Sequence, residues 1–143
     1  MLLADQIYEV LQDKDYTLNE INSLIKGEHV ADTYKRKRLV VNICNAMLFA
    51  CDREWYMTVD AICTIHSILI SDVGDSYSGY LKSLKLMNSQ EFINGIFEAQ
   101  RGDNMEERAS RLRDYLLSVK PFDDYNELLA RTIYVVQHSG VYR

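Results

Sequence analysis

Lys120, Asp123, Asp124, Asn126 and Arg131 fall in one short stretch, Lys120-Pro121-Phe122-Asp123-Asp124-Tyr125-Asn126-Glu127-Leu128-Leu129-Ala130-Arg131. The chemistry open to such a stretch depends on the backbone around it. Pro121 is the only proline in the chain, and it cannot continue a helix, because its ring fixes φ and it has no N–H to donate. The residue before it, Lys120, is predicted to be extended. Upstream, Met105, Ala109, Leu112, Leu116 and Val119 recur at the three- and four-residue steps of an amphipathic helix. Downstream, Asp123, Asp124 and Asn126 are N-cap types, so a second helix is predicted there, carrying Leu128, Leu129, Ile133, Tyr134 and Val136. The arrangement is a helix, a short polar loop and a helix N-terminus. Unpaired N–H groups and a partial positive charge at that terminus suit an anion such as a phosphate.

Several further elements are needed to hold this loop in place. Leu2, Leu3, Ile7, Val10 and Leu11 predict a first helix ending near Asp13. Thr17 with Glu20 reads as a capping box for a second helix, which carries Leu18, Ile21, Leu24 and Ile25 and stops at Gly27. A longer helix from Asp32 or Thr33 to about Cys51 buries Leu39, Val40, Ile43, Ala46, Met47 and Ala50. Thr58 caps the next, whose apolar stripe is Val59, Ile62, Cys63, His66, Leu69 and Ile70. His66 lies on that stripe and reads as a hydrogen-bonded core residue. Asp72 to Asn88 shows no helical period. Ser89 opens another helix through Phe92, Ile93, Ile96 and Phe97, and Asp103 caps the helix that leads into the loop.

The stretch Lys120–Arg131 resembles the signature loop of the Fic/Doc (Fido) family, His-Pro-Phe-x-Asp/Glu-Gly-Asn-Gly-Arg-x-x-Arg. Pro121, Phe122, Asp124, Asn126 and Arg131 match it. Lys120 falls on the histidine, Tyr125 and Glu127 on the glycines, and Leu128 on the first arginine. Other stretches follow in family order. Asn22-Ser23-Leu24-Ile25-Lys26-Gly27-Glu28 is similar to the family's inhibitory-helix element, with Lys26 on its glutamate. Val59–Ile70 resembles a family helix with a structural histidine, and Ser78-Gly79-Tyr80-Leu81-Lys82 resembles a Gly-x-Tyr-Arg element. After that element, relatives form a β-hairpin flap that docks the target by strand addition. The resemblance implies a mainly α, Fic-like helical bundle, with residues 72–88 forming either such a flap or a plain surface loop. It makes Gly79, Tyr80 and Lys82 candidates for target docking. It also implies one domain over 1–143, with N-terminal helices in 1–28 and a core in 29–143.

In the family, the motif transfers AMP or another phosphate-containing group to a protein hydroxyl. By resemblance, Lys120 stands in the place of the base and Asp124 in that of the carboxylate that holds Mg²⁺. Lys120, Asn126 and Arg131 are the candidates for phosphate contact, and any residual binding would be of ATP with Mg²⁺. The departures from the motif argue against the reaction. A lysine carries its charge through neutral pH and suits a phosphate contact better than proton abstraction. Tyr125 replaces a glycine at a position expected to need φ > 0 or close approach to the ligand, so a bulky residue there costs about 1–3 kcal/mol or forces a different loop. Glu127 brings negative charge toward the phosphates, and Leu128 removes a cationic clamp.

Bulk properties bound the remaining possibilities. The chain of 143 residues suits one core, and a net charge of −5 argues against nucleic-acid binding by the overall field. Lys35-Arg36-Lys37-Arg38 reads as a solvated helix start. No apolar run nears the roughly 20 residues that cross a bilayer, and the N-terminus has no basic region or extended apolar core. Cys44, Cys51 and Cys63 sit in helical patterns and read as free thiols in a reducing compartment, so a cytoplasmic location is expected. The leading expectation is a Fic-like protein that has lost AMP transfer and binds another protein. The alternatives are a transferase with altered motif chemistry and an unrelated helical interaction domain.

Overall fold

Seven α-helices occupy the described residues of the computed structural model, which cover 3–12, 14–28, 34–51, 56–73 and 89–139. They are α1 (Leu3–Val10), α2 (Leu18–Ile25), α3 (Tyr34–Ala50), α4 (Val59–Leu69), α5 (Ser89–Ala99), α6 (Met105–Val119) and α7 (Asn126–Ser139). The protein is mainly α-helical, and no strand occurs among the described residues. Gly79, Tyr80 and Lys82, with the rest of the expected flap from residue 74 to 88, lie outside those residues.

Local sequence accounts for most helix ends. Thr17 caps α2 by accepting the Glu20 N–H at 3.1 Å. Gly27, at φ 78°, closes the same helix in a Schellman turn: its N–H reaches Leu24 O at 3.1 Å, and the Glu28 N–H reaches Ser23 O at 3.0 Å. Thr58 caps α4 through the Ala61 N–H. On α6 the cap is Asn104, one residue later than expected. Its Oδ1 accepts the Glu107 N–H at 2.8 Å, while the Glu107 carboxylate accepts the N–H of Asp103. Both residues can cap, and the buried stripe Ala109, Leu112 and Leu116 sets which one falls at the helix boundary.

The layout centres on α7, which packs against α1, α3, α4 and α6. Its Leu128, Leu129, Ala130, Thr132, Ile133, Val135 and Val136 are all buried, and the less buried positions Glu127, Arg131, Tyr134 and His138 form a narrow stripe on one side. The α2 helix packs on α1 and α3, and α5 packs on α6 and α4. Buried amides hold the breaks in this frame. Asn42 donates to Leu69 O at 3.0 Å and Ser71 O at 2.8 Å. Gln100 accepts the Met57 N–H at 2.7 Å and donates to Met57 O at 2.8 Å, pinning the chain as it enters α4.

The basic run at the start of α3 is partly internal. Arg36 pairs with Glu20 at 2.6 Å, donates to Asp15 O and lies 4.0 Å over the Tyr16 ring. Arg38 stands 3.6 Å from Asp72. On α5 the buried face is Phe92, Ile96 and Ala99, whereas Ile93 and Phe97 are 44% and 54% exposed.

Candidate functional site: the loop between α6 and α7

The site lies where α6 stops and α7 begins. Pro121 ends α6, and Lys120 takes the left-handed C-cap conformation, φ 49° and ψ 68°, with its N–H on Leu116 O at 2.9 Å. The expectation of extended backbone is therefore corrected. A left-handed residue reverses the chain while keeping one more helical hydrogen bond, and it equally avoids the right-handed geometry that the proline disfavours. Pro121 and Phe122 are buried beneath the loop. Tyr125, at the family pattern's first glycine, has φ 59°, in the region that glycine enters freely.

Three side chains fix the loop in this shape. The Asn126 amide forms a two-point clamp on one residue: the Phe122 N–H donates to Oδ1 at 3.0 Å, and Nδ2 donates to Phe122 O at 2.8 Å. His66 of α4, fully buried, stacks on the Phe122 ring with centroids 3.8 Å apart and planes 6° from parallel. Its Nε2 lies 3.0 Å from Asp124 O, so the tautomer protonated at Nε2 donates to that carbonyl. Burial pushes the His66 pKa below its ordinary value, against a smaller opposing pull from the Asp124 carbonyl and the Asp124 and Asp123 carboxylates. The Tyr125 hydroxyl donates to Val73 O at 3.2 Å, in the turn that follows α4.

An open cavity of about 370 Å³ lies over the loop. Lys14, Lys120 and Arg131 bring positive charge to it, and Asp123, Asp124 and Glu127 bring negative charge. The candidates Lys120, Asp124, Asn126 and Arg131 thus share one cavity. Within it, Asn126 has its amide on the Phe122 backbone, and Arg131 lies 3.9 Å from Glu127 one turn back. Leu128 is buried, and the Asp124 carboxylate stands 3.9 Å from His66 Nε2. Among the described residues, no group of His, Cys, Asp and Glu side chains converges to hold a metal ion.

Lys14 went unnoticed in the sequence, because the turn after α1 reaches the loop only through the packing of α1 on α7. The Tyr125 hydroxyl was missed for the same reason, since its partner is 52 positions away. Cys44 and Cys63 are half-buried free thiols, with pKa values pushed up by that burial. No helix among the described residues is long and apolar enough to cross a membrane. Compared with known proteins, the chain matches no family model, no curated protein and no solved structure.

Proposed function

We propose that the chain is a Fic-like helical protein that has lost AMP transfer and works by binding another protein. The observation that carries this reading is the geometry of the loop. A glycine-type backbone persists at Tyr125, while groups that would face a nucleotide are engaged elsewhere. The Asn126 amide holds Phe122, Glu127 stands beside Arg131, and three carboxylates share the cavity with three cations. A triphosphate entering there would meet its own charge and few available donors. Exposed Tyr8, Tyr34, Tyr56, Ile93 and Phe97 offer side chains of the types common in protein interfaces.

Calorimetric titration with ATP and Mg²⁺ tests the lost transfer, together with incubation in a host lysate with ATP labelled at its α-phosphate. No micromolar binding and no labelled protein are expected, and micromolar affinity with label transfer overturns the proposal. Crosslinkers placed at Tyr34 and at Phe97 test the binding half, which fails if neither traps a protein in the host.

A second reading, a transferase with altered chemistry, is favoured by the shared cavity of Lys120, Asp123, Asp124 and Arg131. It is dropped if Lys120→Ala and Asp124→Ala leave every cellular phenotype unchanged.

A further inference from the structure

Among the described residues, the non-glycine positions with positive φ are Asp72 at 62°, Lys120 at 49° and Tyr125 at 59°. Bulky residues enter this region only when their surroundings hold them there. Although Asp72 is far from the other two in sequence, it belongs to the same place in the fold. The turn at 70–73, which contains Asp72, touches the 120–125 loop directly through the Tyr125 hydroxyl on Val73 O at 3.2 Å. His66, one turn before the end of α4, reaches the same loop through Asp124 O at 3.0 Å and the Phe122 stack. Asn42 fixes the inner side of the turn through Leu69 O and Ser71 O. The strained backbone of the described chain is thus gathered into two adjoining segments that side chains pin together.

We propose that the 70–73 turn and the 120–125 loop form a single two-state latch, bolted by the Tyr125 hydroxyl on the Val73 carbonyl. In the closed state both segments keep their left-handed residues. Withdrawal of the hydroxyl lets Tyr125 and Asp72 relax together, and the wall of the cavity made by Asp124 and Tyr125 moves with them. The device holds whatever the cavity binds, because it concerns the frame and not an occupant. Asn126 and His66 keep Phe122 seated in both states, so the opening is local and leaves the core intact.

Amide relaxation dispersion on the full chain tests the latch, since such local openings fall in the microsecond-to-millisecond range. Ser71, Val73, Asp124 and Tyr125 should exchange with one shared rate, while Phe122, held by Asn126 and His66, and Ile65 and Ile133 in the core stay flat. Tyr125→Phe removes one hydrogen bond and should raise the open population about tenfold in both segments. Asp72→Gly acts on the other segment, where glycine is at ease with positive φ. It should lower the open population about fivefold, including at Asp124 and Tyr125. The Asp72 carboxylate lost with this change stands 3.6 Å from the buried Arg38 Nε, so Asp72→Asn, which removes the charge and keeps a side chain, is the control for that pair. Separate rates for the two segments overturn the latch, as does an Asp72→Gly effect confined to 70–73. It is equally overturned if neither the native chain nor Tyr125→Phe shows exchange.

Discussion

Asn126 stands in the first turn of a helix, where an amide would ordinarily be counted as a cap or an anion contact. Its oxygen and nitrogen instead close on the two backbone groups of Phe122, both buried. Removing the amide leaves a buried N–H and a buried C=O unsatisfied, a loss larger than that of an exposed cap. Asn126→Ala is therefore expected to destabilise the protein by about 2–4 kcal/mol, read as a lower urea midpoint at unchanged slope. Residue types and spacing were enough to mark this position but not to say what the amide touches. A carboxamide four residues after Phe122 can turn inward or outward, and the packing of Phe122 against His66 decides which. A glycine in the resembled pattern left two readings at Tyr125, φ > 0 or close approach to a ligand, and the backbone there has φ 59°. The tether of Tyr125 to Val73 was not legible, because that depends on where α4 ends in space.

Helices were the most legible level, because periodicity and cap chemistry are local. Each predicted segment has its counterpart in α1 to α7, with ends displaced by up to three residues, as at α1, which ends at Val10 where Asp13 was expected. Helix faces were harder to read. Phe92, Ile93, Ile96 and Phe97 spread over a wide arc of α5, and nothing local says which edge turns inward. Gly95 settles it: a Cβ there would fall on the Tyr115 hydroxyl and ring, so α5 and α6 approach closely at that point. Ile93 and Phe97 are consequently left outside. Gly95→Ala should cost about 1–3 kcal/mol through overpacking, although alanine is the better helix former. In a Tyr115→Ala background the sign should reverse, to a gain of up to about 1 kcal/mol. A double-mutant cycle by chemical denaturation reads that change of sign directly.

At the scale of the whole molecule, the N-terminal helices pack on later ones, α1 on α3 and α7 and α2 on α3. The α1–α2 turn carries Tyr16, whose hydroxyl donates to Arg36 O at 3.2 Å beneath the Arg36 guanidinium. Burial, opposed by the nearby Arg36 charge, pushes the Tyr16 pKa from 10.0 up to about 12. Because the folded value is raised, the contribution is complete below 10 and lost as pH climbs through about 12. Phenolate absorbance should show late-ionising tyrosine from Tyr16 and from Tyr115, which burial also raises, and Tyr16→Phe should remove the part that ionises near 12. Glu20 gives the mirror case. The Arg36 hydrogen bond holds its carboxyl below the ordinary 4.5, so the associated stability is present above that pH and falls away as acid reaches the lowered value. Arg36→Ala should flatten this acid limb.

The centrality of α7 also bears on how the chain is made. The helix that touches α1, α3, α4 and α6 leaves the ribosome after all of them. The earlier helices can form and pair as they emerge, α3 with α4 and α5 with α6, but α7 is the surface that α1, α3, α4 and α6 share, so closure is expected to wait until that segment is out of the tunnel. Nascent chains arrested just before Asn126 should be cut readily by protease, whereas those released beyond Ser139 should resist it. Throughout the intervening interval, the apolar sides of the earlier helices would be open to chaperones.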